Sequence, residues 1–330
     1  MKALVTGGGG FLGGAIVKLL LKNGEKVVTL SRRKYPALDA LGVTQYTADL
    51  TNLEVIREAS KGCDIIFHVA AKAGISLDYK AYYRANVEGT KNIIEACRTN
   101  GIRRLVYTSS PSVTFSGEEQ NYVDESEPYP ETYLSPYSET KAIAEKMVLN
   151  SNSQELATVA LRPHLIWGPG DNHLIPRIID RGKRGKLRNI GDGTNLIDSV
   201  YIDNAAEAHI LAAERLYPGA SISGKAYFIS QGEPIRSKDL INMILEAANL
   251  PPLTKSISPN TAYRLGIILE KIYLLLGLKG EPLMTRFLAL QLATNHFFDI
   301  GAAKKELGYS PKISIREGMD ILKEELSRKG

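Results

Sequence analysis

Thr6-Gly7-Gly8-Gly9-Gly10-Phe11-Leu12-Gly13 stands between an apolar run, Lys2 to Val5, and a helical pattern, Phe11 to Asn23. Within that pattern Leu12, Ala15, Ile16, Leu19 and Leu20 share one face, and Gly24 stops the helix. Gly7, Gly10 and Gly13 recur at every third position. Residues without a Cβ let the backbone turn sharply from strand to helix and approach an anionic ligand closely. The helix behind the loop aims its unpaired N–H groups at the same point. Gly7, Gly10, Phe11, Leu12 and Gly13 are therefore expected to cradle a dinucleotide pyrophosphate.

The pattern around the loop supports this. Lys26 to Leu30, Thr44 to Thr47, Asp64 to Val69, Arg104 to Ser109 and Thr158 to Arg162 read as further strands, with Thr44 to Thr47 short and at an edge. Leu53 to Lys61, Tyr82 to Asn100 and Tyr137 to Asn150 read as the helices between them. Such alternation predicts an α/β fold, a doubly wound parallel sheet of the Rossmann type. Right-handed crossovers place its ligand at the carboxyl ends of the strands. Residues 1–163 are expected to form the nucleotide-binding domain. Residues 164–330 are mixed in pattern and predict a smaller C-terminal substrate-binding lobe. The chain is expected to return to the sheet within 200–230, at Ala226 to Ser230.

The cofactor ribose is read at the end of the second strand. An acid there binds the 2′-hydroxyl of NAD, and an arginine accommodates the 2′-phosphate of NADP. The sequence is Thr29-Leu30-Ser31-Arg32-Arg33, with no acid before Asp39. Ser31 and Arg32 are expected to contact the ribose, which favours NADP(H) over NAD(H); solvated arginines are the competing use. Asp49, followed by Leu50, comes after the third strand. Its carboxylate could accept from the adenine amino group or could cap the helix near Leu53.

Tyr137-Ser138-Glu139-Thr140-Lys141 carries the chemistry. Tyr and Lys four apart on a helix share a face. An ammonium beside a phenol lowers the phenol pKa. Such a tyrosine can give a proton to a carbonyl oxygen or take one from an alcohol, as hydride chemistry requires. The spacing alone is common; its context is Thr108-Ser109-Ser110 at the carboxyl edge of the fifth strand, where Ser110 can orient a substrate oxygen. Asn86 could relay protons, brace the lysine, or simply pack within its helix.

Bulk properties narrow the class. The chain has 330 residues and a net charge of +5, which is mild and lies in short runs such as Arg32-Arg33-Lys34. That argues against a nucleic-acid footprint. Cys63 and Cys97 form no disulfide framework, and the five histidines show no zinc spacing, so no metal is expected. Two lone cysteines fit a reduced, cytoplasmic setting. No uncharged apolar run reaches membrane-spanning length.

In order, the glycine loop, Ser110, Tyr137 and Lys141 resemble the extended short-chain dehydrogenase/reductase superfamily. Val69-Ala70-Ala71, Arg162-Pro163, Trp167-Gly168-Pro169 and the ending Leu307 to Pro311 extend the resemblance over nearly the whole chain. Within it the sequence is similar to the 3β-hydroxysteroid dehydrogenase branch, and there to the 2-alkyl-3-oxoalkanoate reductases of bacterial olefin synthesis. Ser109 to Val113, Leu161 to Asp171 and Tyr201 to His209 carry that likeness. The resemblance implies that Tyr137 is the proton donor, that Lys141 supports it and binds the nicotinamide ribose, and that Ser110 orients the carbonyl. It implies that Val69, Ala70, Ala71, Thr108 and Ser109 line the cofactor, and that Pro163 and Leu165 line the nicotinamide. Dehydratases of the superfamily carry an acidic pair where this chain has Pro111 and Ser112, which argues against dehydration.

The implied substrate is a lipid-like 3-oxo acid. Ser258 to Leu278 has more apolar residues than one helical stripe needs. It could be a lid, an oligomer interface, a membrane-contacting helix or an ordinary packing helix. A homodimer, a pathway-enzyme complex and peripheral membrane contact are the expected associations. Arg177, Arg181 or Arg184 could pair with the substrate carboxylate.

Overall fold

The computed structural model describes residues 1–329. Its main sheet uses β1 (Lys2–Thr6), β2 (Lys26–Ser31), β3 (Thr44–Thr47), β4 (Ile65–His68), β5 (Arg104–Thr108), Ala157–Pro163 and Lys225–Ile229. Their spatial order is Lys225–Ile229, Ala157–Pro163, β5, β4, β1, β2, β3, and every pairing is parallel. The chain runs outward from β1 to β3, then crosses back to β4 and continues the other way. That reversal opens a crevice above the carboxyl ends of β1 and β4, beside the glycine loop.

Strand alternation divides the core. Ala3 and Val5 face helix α1 (Phe11–Lys22) through Ile16 and Leu20, and meet the alanines of helix Ile202–Arg215. Leu4 faces the opposite layer, with Ile56, Ile93, Cys97 and Val148. Both faces are covered, which is why the strands read as continuous apolar runs. The chain returns to the sheet at Lys225–Ile229, with Ile229 opposite Pro163.

Two features depart from the simple pattern. The helix expected from Tyr82 begins at Tyr79, capped by Asp78, and includes a π-helical turn over Tyr83–Glu88 before Gly89–Asn100. A π-turn carries an extra residue in the helical rise and often marks functional sites; this one contains Asn86. Second, four short strands, Ile235–Arg236, Leu196–Ile197, His296–Phe298 and Gln120–Val123, form a separate sheet. Gln120–Val123 comes from the first half of the chain and pairs with His296–Phe298 near the C-terminus.

Histidines dispersed in sequence meet at that sheet. His296 Nε2 donates to the Gln291 carbonyl at 2.5 Å, so its Nδ1 accepts from His164 Nε2 at 2.8 Å. Burial holds both imidazoles below their ordinary pKa, and they stay neutral. Among the described residues no group of three or more His, Cys, Asp or Glu side chains could hold a metal ion.

Asp198 lies in the same region. Burial raises its carboxyl to about 6, although the Phe298 amide and Ser230 hydroxyl pull the other way. The folded state therefore binds a proton that the unfolded chain releases near 4. Stability falls as pH rises through 4–6 and is then level. Asp198→Asn is expected to stabilise the protein at pH 8 by about 2–3 kcal/mol, with the gain vanishing near pH 4. Urea titrations at both pH values check this; an equal gain at both would exclude the carboxyl's titration as the cause.

The apolar segment near residue 270 forms helix Pro259–Leu275, capped by the Ser258 hydroxyl. It packs on helix Arg286–Ala293 so closely that a Cβ on Gly266 would lie 2.6 Å from the Thr285 carbonyl carbon. Only Ala262, Gly266 and Glu270 of the helix are buried. At its last turn and just beyond, Leu274, Leu275, Leu276, Leu278 and Leu283 are exposed, Leu275 by 84%. It is therefore not an ordinary core helix. Among the described residues no helix is long and apolar enough to cross a membrane.

Candidate active site

The glycine loop is held by its own backbone. Gly7 N donates to the Leu30 carbonyl and Gly10 N to the Gly7 carbonyl, both at 2.8 Å. Gly7 has φ +70°, and a Cβ on Gly13 would stand 2.2 Å from the Gly7 carbonyl oxygen. No side chain caps α1 at Gly10, so the N–H groups at Phe11, Leu12 and Gly13 are left for a ligand. Gly9 matters for a reason the spacing does not show: the Tyr35 ring lies 2.1 Å from where its Cβ would be. Tyr35 is fixed by two backbone hydrogen bonds with the Gln45 amide, at 3.0 and 3.1 Å.

A buried relay ties the loop to the next strand. Thr90 Oγ1 donates to the Asn86 carbonyl at 2.5 Å and accepts from His68 Nε2 at 3.0 Å. His68 Nδ1 therefore accepts from the Thr6 hydroxyl at 2.9 Å. The Thr6 oxygen in turn accepts from Val69 N and Ala70 N, at 3.1 and 3.0 Å. Burial depresses His68 to about 3, so this neutral tautomer persists at physiological pH. Ala70 is thereby pressed against Gly7, within 3.2 Å of its would-be Cβ, while Ala71 remains exposed.

At the ribose end, Ser31 Oγ is buried and has no hydrogen-bond partner among the described residues. Arg32 is exposed. Asp49 accepts from Thr51 N at 3.0 Å and from the Thr51 hydroxyl at 2.8 Å. Those bonds, with Arg84 and Arg32 nearby, hold its carboxyl below the usual value. The helix cap is Asn52, which accepts from Val55 N, so the capping use of Asp49 is not realised. Leu50 packs on Gly89, and its carbonyl accepts from the Asn92 amide at 2.9 Å. The glycine cradle, the uncapped helix and two orphaned hydroxyls, Ser31 and Ser109, fit a dinucleotide.

Ser110, Tyr137 and Lys141 come together above the end of β5. Ser135 caps the tyrosine helix by accepting from Tyr137 N, with Pro136 in its first turn. Burial raises the Tyr137 phenol above its ordinary pKa, and a hydrogen bond from Ser110 partly offsets this. The Lys141 ammonium donates to the Thr108 carbonyl at 2.6 Å and lies 4.1 Å from the Tyr107 ring centroid. β5 thus anchors the ammonium beside the strand end from which Ser110 follows. Burial lowers Lys141 itself to about 7, opposed by Glu145. The Thr108 hydroxyl points the other way, to His209 Nε2 at 2.8 Å.

Asn86 braces two elements and does not bond Lys141. Its Oδ1 accepts from Lys72 N at 2.8 Å, and its Nδ2 donates to the Lys72 carbonyl and to Thr140 Oγ1, both at 3.1 Å. Leu165 follows Pro163 with φ +41°, a left-handed conformation strained for leucine. The arginines do not act alike: Arg177 pairs with Glu281 at 2.6 Å and Arg184 with Asp180 at 2.9 Å. Sequence reasoning did not single out Tyr35, which packs on Gly9, or Lys72, whose backbone Asn86 holds; for Lys72 the sequence signal was its place directly after Val69-Ala70-Ala71.

A crevice at the topological switch, a glycine cradle and a Ser–Tyr–Lys set define an extended short-chain dehydrogenase/reductase. The chain belongs to the 3-beta hydroxysteroid dehydrogenase/isomerase family, whose model matches residues 4–257. It is an oxidoreductase of this NAD(P)-dependent family. A relative in Stenotrophomonas maltophilia, named 2-alkyl-3-oxoalkanoate reductase, is 50% identical over 325 residues, covering 98% of each chain. The mouse sterol-4-alpha-carboxylate 3-dehydrogenase, decarboxylating, is 34% identical, covering 97% of this chain and 89% of the relative. Among solved structures, MoeE5 in complex with UDP-glucose and NAD superimposes with a TM-score of 0.77 at 27% identity, covering 100% and 99%.

Proposed function

We propose that the protein is an NADP(H)-dependent reductase that converts a long-chain 2-alkyl-3-oxo carboxylic acid to the 2-alkyl-3-hydroxy acid. The observation that carries this is 50% identity, over 98% of both chains, to a relative named for that reduction. A nicotinamide held by the glycine loop and Lys141 would supply the hydride that the ketone carbon takes up. The Tyr137 phenol, kept protonated by burial, gives its proton to the ketone oxygen, which Ser110 orients. Lys141, anchored on the Thr108 carbonyl, supports Tyr137 and holds the nicotinamide ribose. Asn86 positions the loop and the tyrosine helix. Pro111 and Ser112 offer no acid to eliminate water, so the hydroxy acid is the product. In this reading the lobe formed by residues 164–330, outside the returning segment, holds the acyl chains. The exposed leucines at 274–283 suit a lipid-like substrate.

The sterol-4-carboxylate dehydrogenase reading shares this chemistry, run as oxidation, and the mouse relative supports it. NADPH oxidation measured with a long-chain 2-alkyl-3-oxo acid, a 3-oxosteroid and a nucleotide sugar separates these substrate classes. Turnover is expected on the oxo acid; turnover confined to another substrate would reject the proposal. In the same assay Arg32→Ala is expected to reduce the NADPH-over-NADH preference in kcat/KM about tenfold or more, since a guanidinium–phosphate contact is removed. An unchanged preference would remove Arg32 from the ribose site.

A further inference from the structure

We infer that Lys72 is the specificity-determining residue for the substrate's acid group, binding the carboxylate while Tyr137 engages the ketone. The inference rests on the oxo-acid reading above and names which residue selects an acid.

Lys72 follows Val69-Ala70-Ala71 in the loop that leaves the carboxyl end of β4. Asn86 clamps its backbone on both sides, taking its N–H and donating to its carbonyl. The same amide holds Thr140, which is between Tyr137 and Lys141 on the tyrosine helix. Lys72 and Tyr137 are thus placed by one side chain.

The Lys72 ammonium lies 5.1 Å from the centroid of the Tyr82 ring. Tyr82 is fully buried, and its ring meets the Tyr137 ring edge-on with centroids 6.3 Å apart. The Tyr82 hydroxyl accepts from Ser76 N at 3.2 Å, which pins the loop beyond Lys72. Lys72 makes no ion pair among the described residues, although twelve ion pairs are formed elsewhere. An ammonium held over an aromatic face, with its anion sites unfilled, can accept a carboxylate without first losing a partner.

A 3-oxo acid sets the span that the two groups must bridge. Its carboxyl carbon is two bonds, about 2.5 Å, from the ketone carbon. With a hydrogen bond of about 2.8 Å at each end, the phenol oxygen and the ammonium must stand roughly 6–9 Å apart. The Tyr82 ring neighbours both groups, with the Lys72 ammonium 5.1 Å and the Tyr137 ring centroid 6.3 Å from its own centroid. The rival cation is Arg181, which also makes no ion pair among the described residues; it shares its field with Arg177, Asp180 and Glu281.

The test uses Lys72→Met, which keeps the apolar stem, beside Lys72→Arg and Arg181→Met. Each is assayed with a 2-alkyl-3-oxo acid and with its methyl ester, which has the same ketone and no charge. Wild type is expected to favour the acid. Lys72→Met is expected to raise KM for the acid about tenfold or more, leave the ester unchanged and abolish the preference, while Lys72→Arg restores it. Cofactor binding by Lys72→Met, followed by NADPH fluorescence, is expected to be unchanged and reports that the fold is intact. Retained acid preference in Lys72→Met, or its loss in Arg181→Met alone, would overturn the assignment. A fold failure in Lys72→Met moves the decision to Lys72→Arg and Lys72→Gln: loss of acid preference confined to Gln supports it, and equal preference in both overturns it. If wild type reduced neither compound, the oxo-acid reading itself would fall.

Discussion

Tyr137→Phe is expected to lower reductase turnover about 10²–10⁴-fold while leaving NADPH binding near the wild-type value. The phenol is placed for one task. Burial raises its pKa and the Ser110 hydroxyl only partly reverses this, so at neutral pH the group is a proton donor. Phenylalanine keeps the ring that meets Tyr82 and removes only the hydroxyl. The fold should therefore survive, and the loss should appear in kcat. Steady-state rates paired with a fluorescence titration of NADPH separate the two effects. The pH dependence has a defined sign: reduction should hold through neutral pH and decline as the phenol ionises, and alcohol oxidation should rise over the same range. Turnover by Tyr137→Phe within a few-fold of wild type would mean that the proton comes from elsewhere.

Glu145→Ala is expected to destabilise the protein by about 3–5 kcal/mol, the range for removing one partner of a buried ion pair. The Arg162 and Glu145 side chains are 3% and 0% exposed. Arg162 Nε donates to Glu145 Oε2 at 3.0 Å and Nη2 to Oε1 at 2.7 Å, while the Tyr129 hydroxyl donates to the same Oε1 at 2.6 Å. Alanine would leave a guanidinium buried with no countercharge. Glu145 lies one turn beyond Lys141, and Arg162 directly precedes Pro163. The pair therefore joins the tyrosine helix to the strand expected to line the nicotinamide. Denaturant titration should show the loss. The double variant Glu145→Met with Arg162→Met should recover much of it, because removing both charges removes the desolvation penalty. A double variant no more stable than Glu145→Ala would show that packing at this site, rather than charge, sets the cost.

How much was legible in the sequence varied with the physics of each part. The central strands of the main sheet read correctly because both faces are covered, so they are largely apolar runs flanked by amphipathic helices; β3, Thr44–Thr47, is polar because it stands at the edge. The second sheet did not read at all: its strands are short, and Gln120–Val123 finds its partner only when His296–Phe298 folds back beside it. Local periodicity has nothing to record there. The π-turn at Asn86 was equally hidden, since it alters hydrogen-bond offset rather than composition.

The site divides in the same way. Gly7, Gly10 and Gly13, and the pairing of Tyr137 with Lys141 on one helix, were legible in the sequence because they are residue types at fixed spacing within one element, whereas Ser110 joins them only through the fold. What only tertiary structure decided was where each charge points. The spacing set Lys141 against Tyr137, but the Thr108 carbonyl at the end of β5 takes the ammonium at 2.6 Å. Three arginines looked equivalent until Glu281 and Asp180 neutralised two of them. Lys72, one polar residue in a loop, gained its place from Asn86 and Tyr82. Ion pairs and hydrogen bonds act over a few ångströms in space, so elements distant in sequence determine them, and the glycine loop carries no trace of that choice.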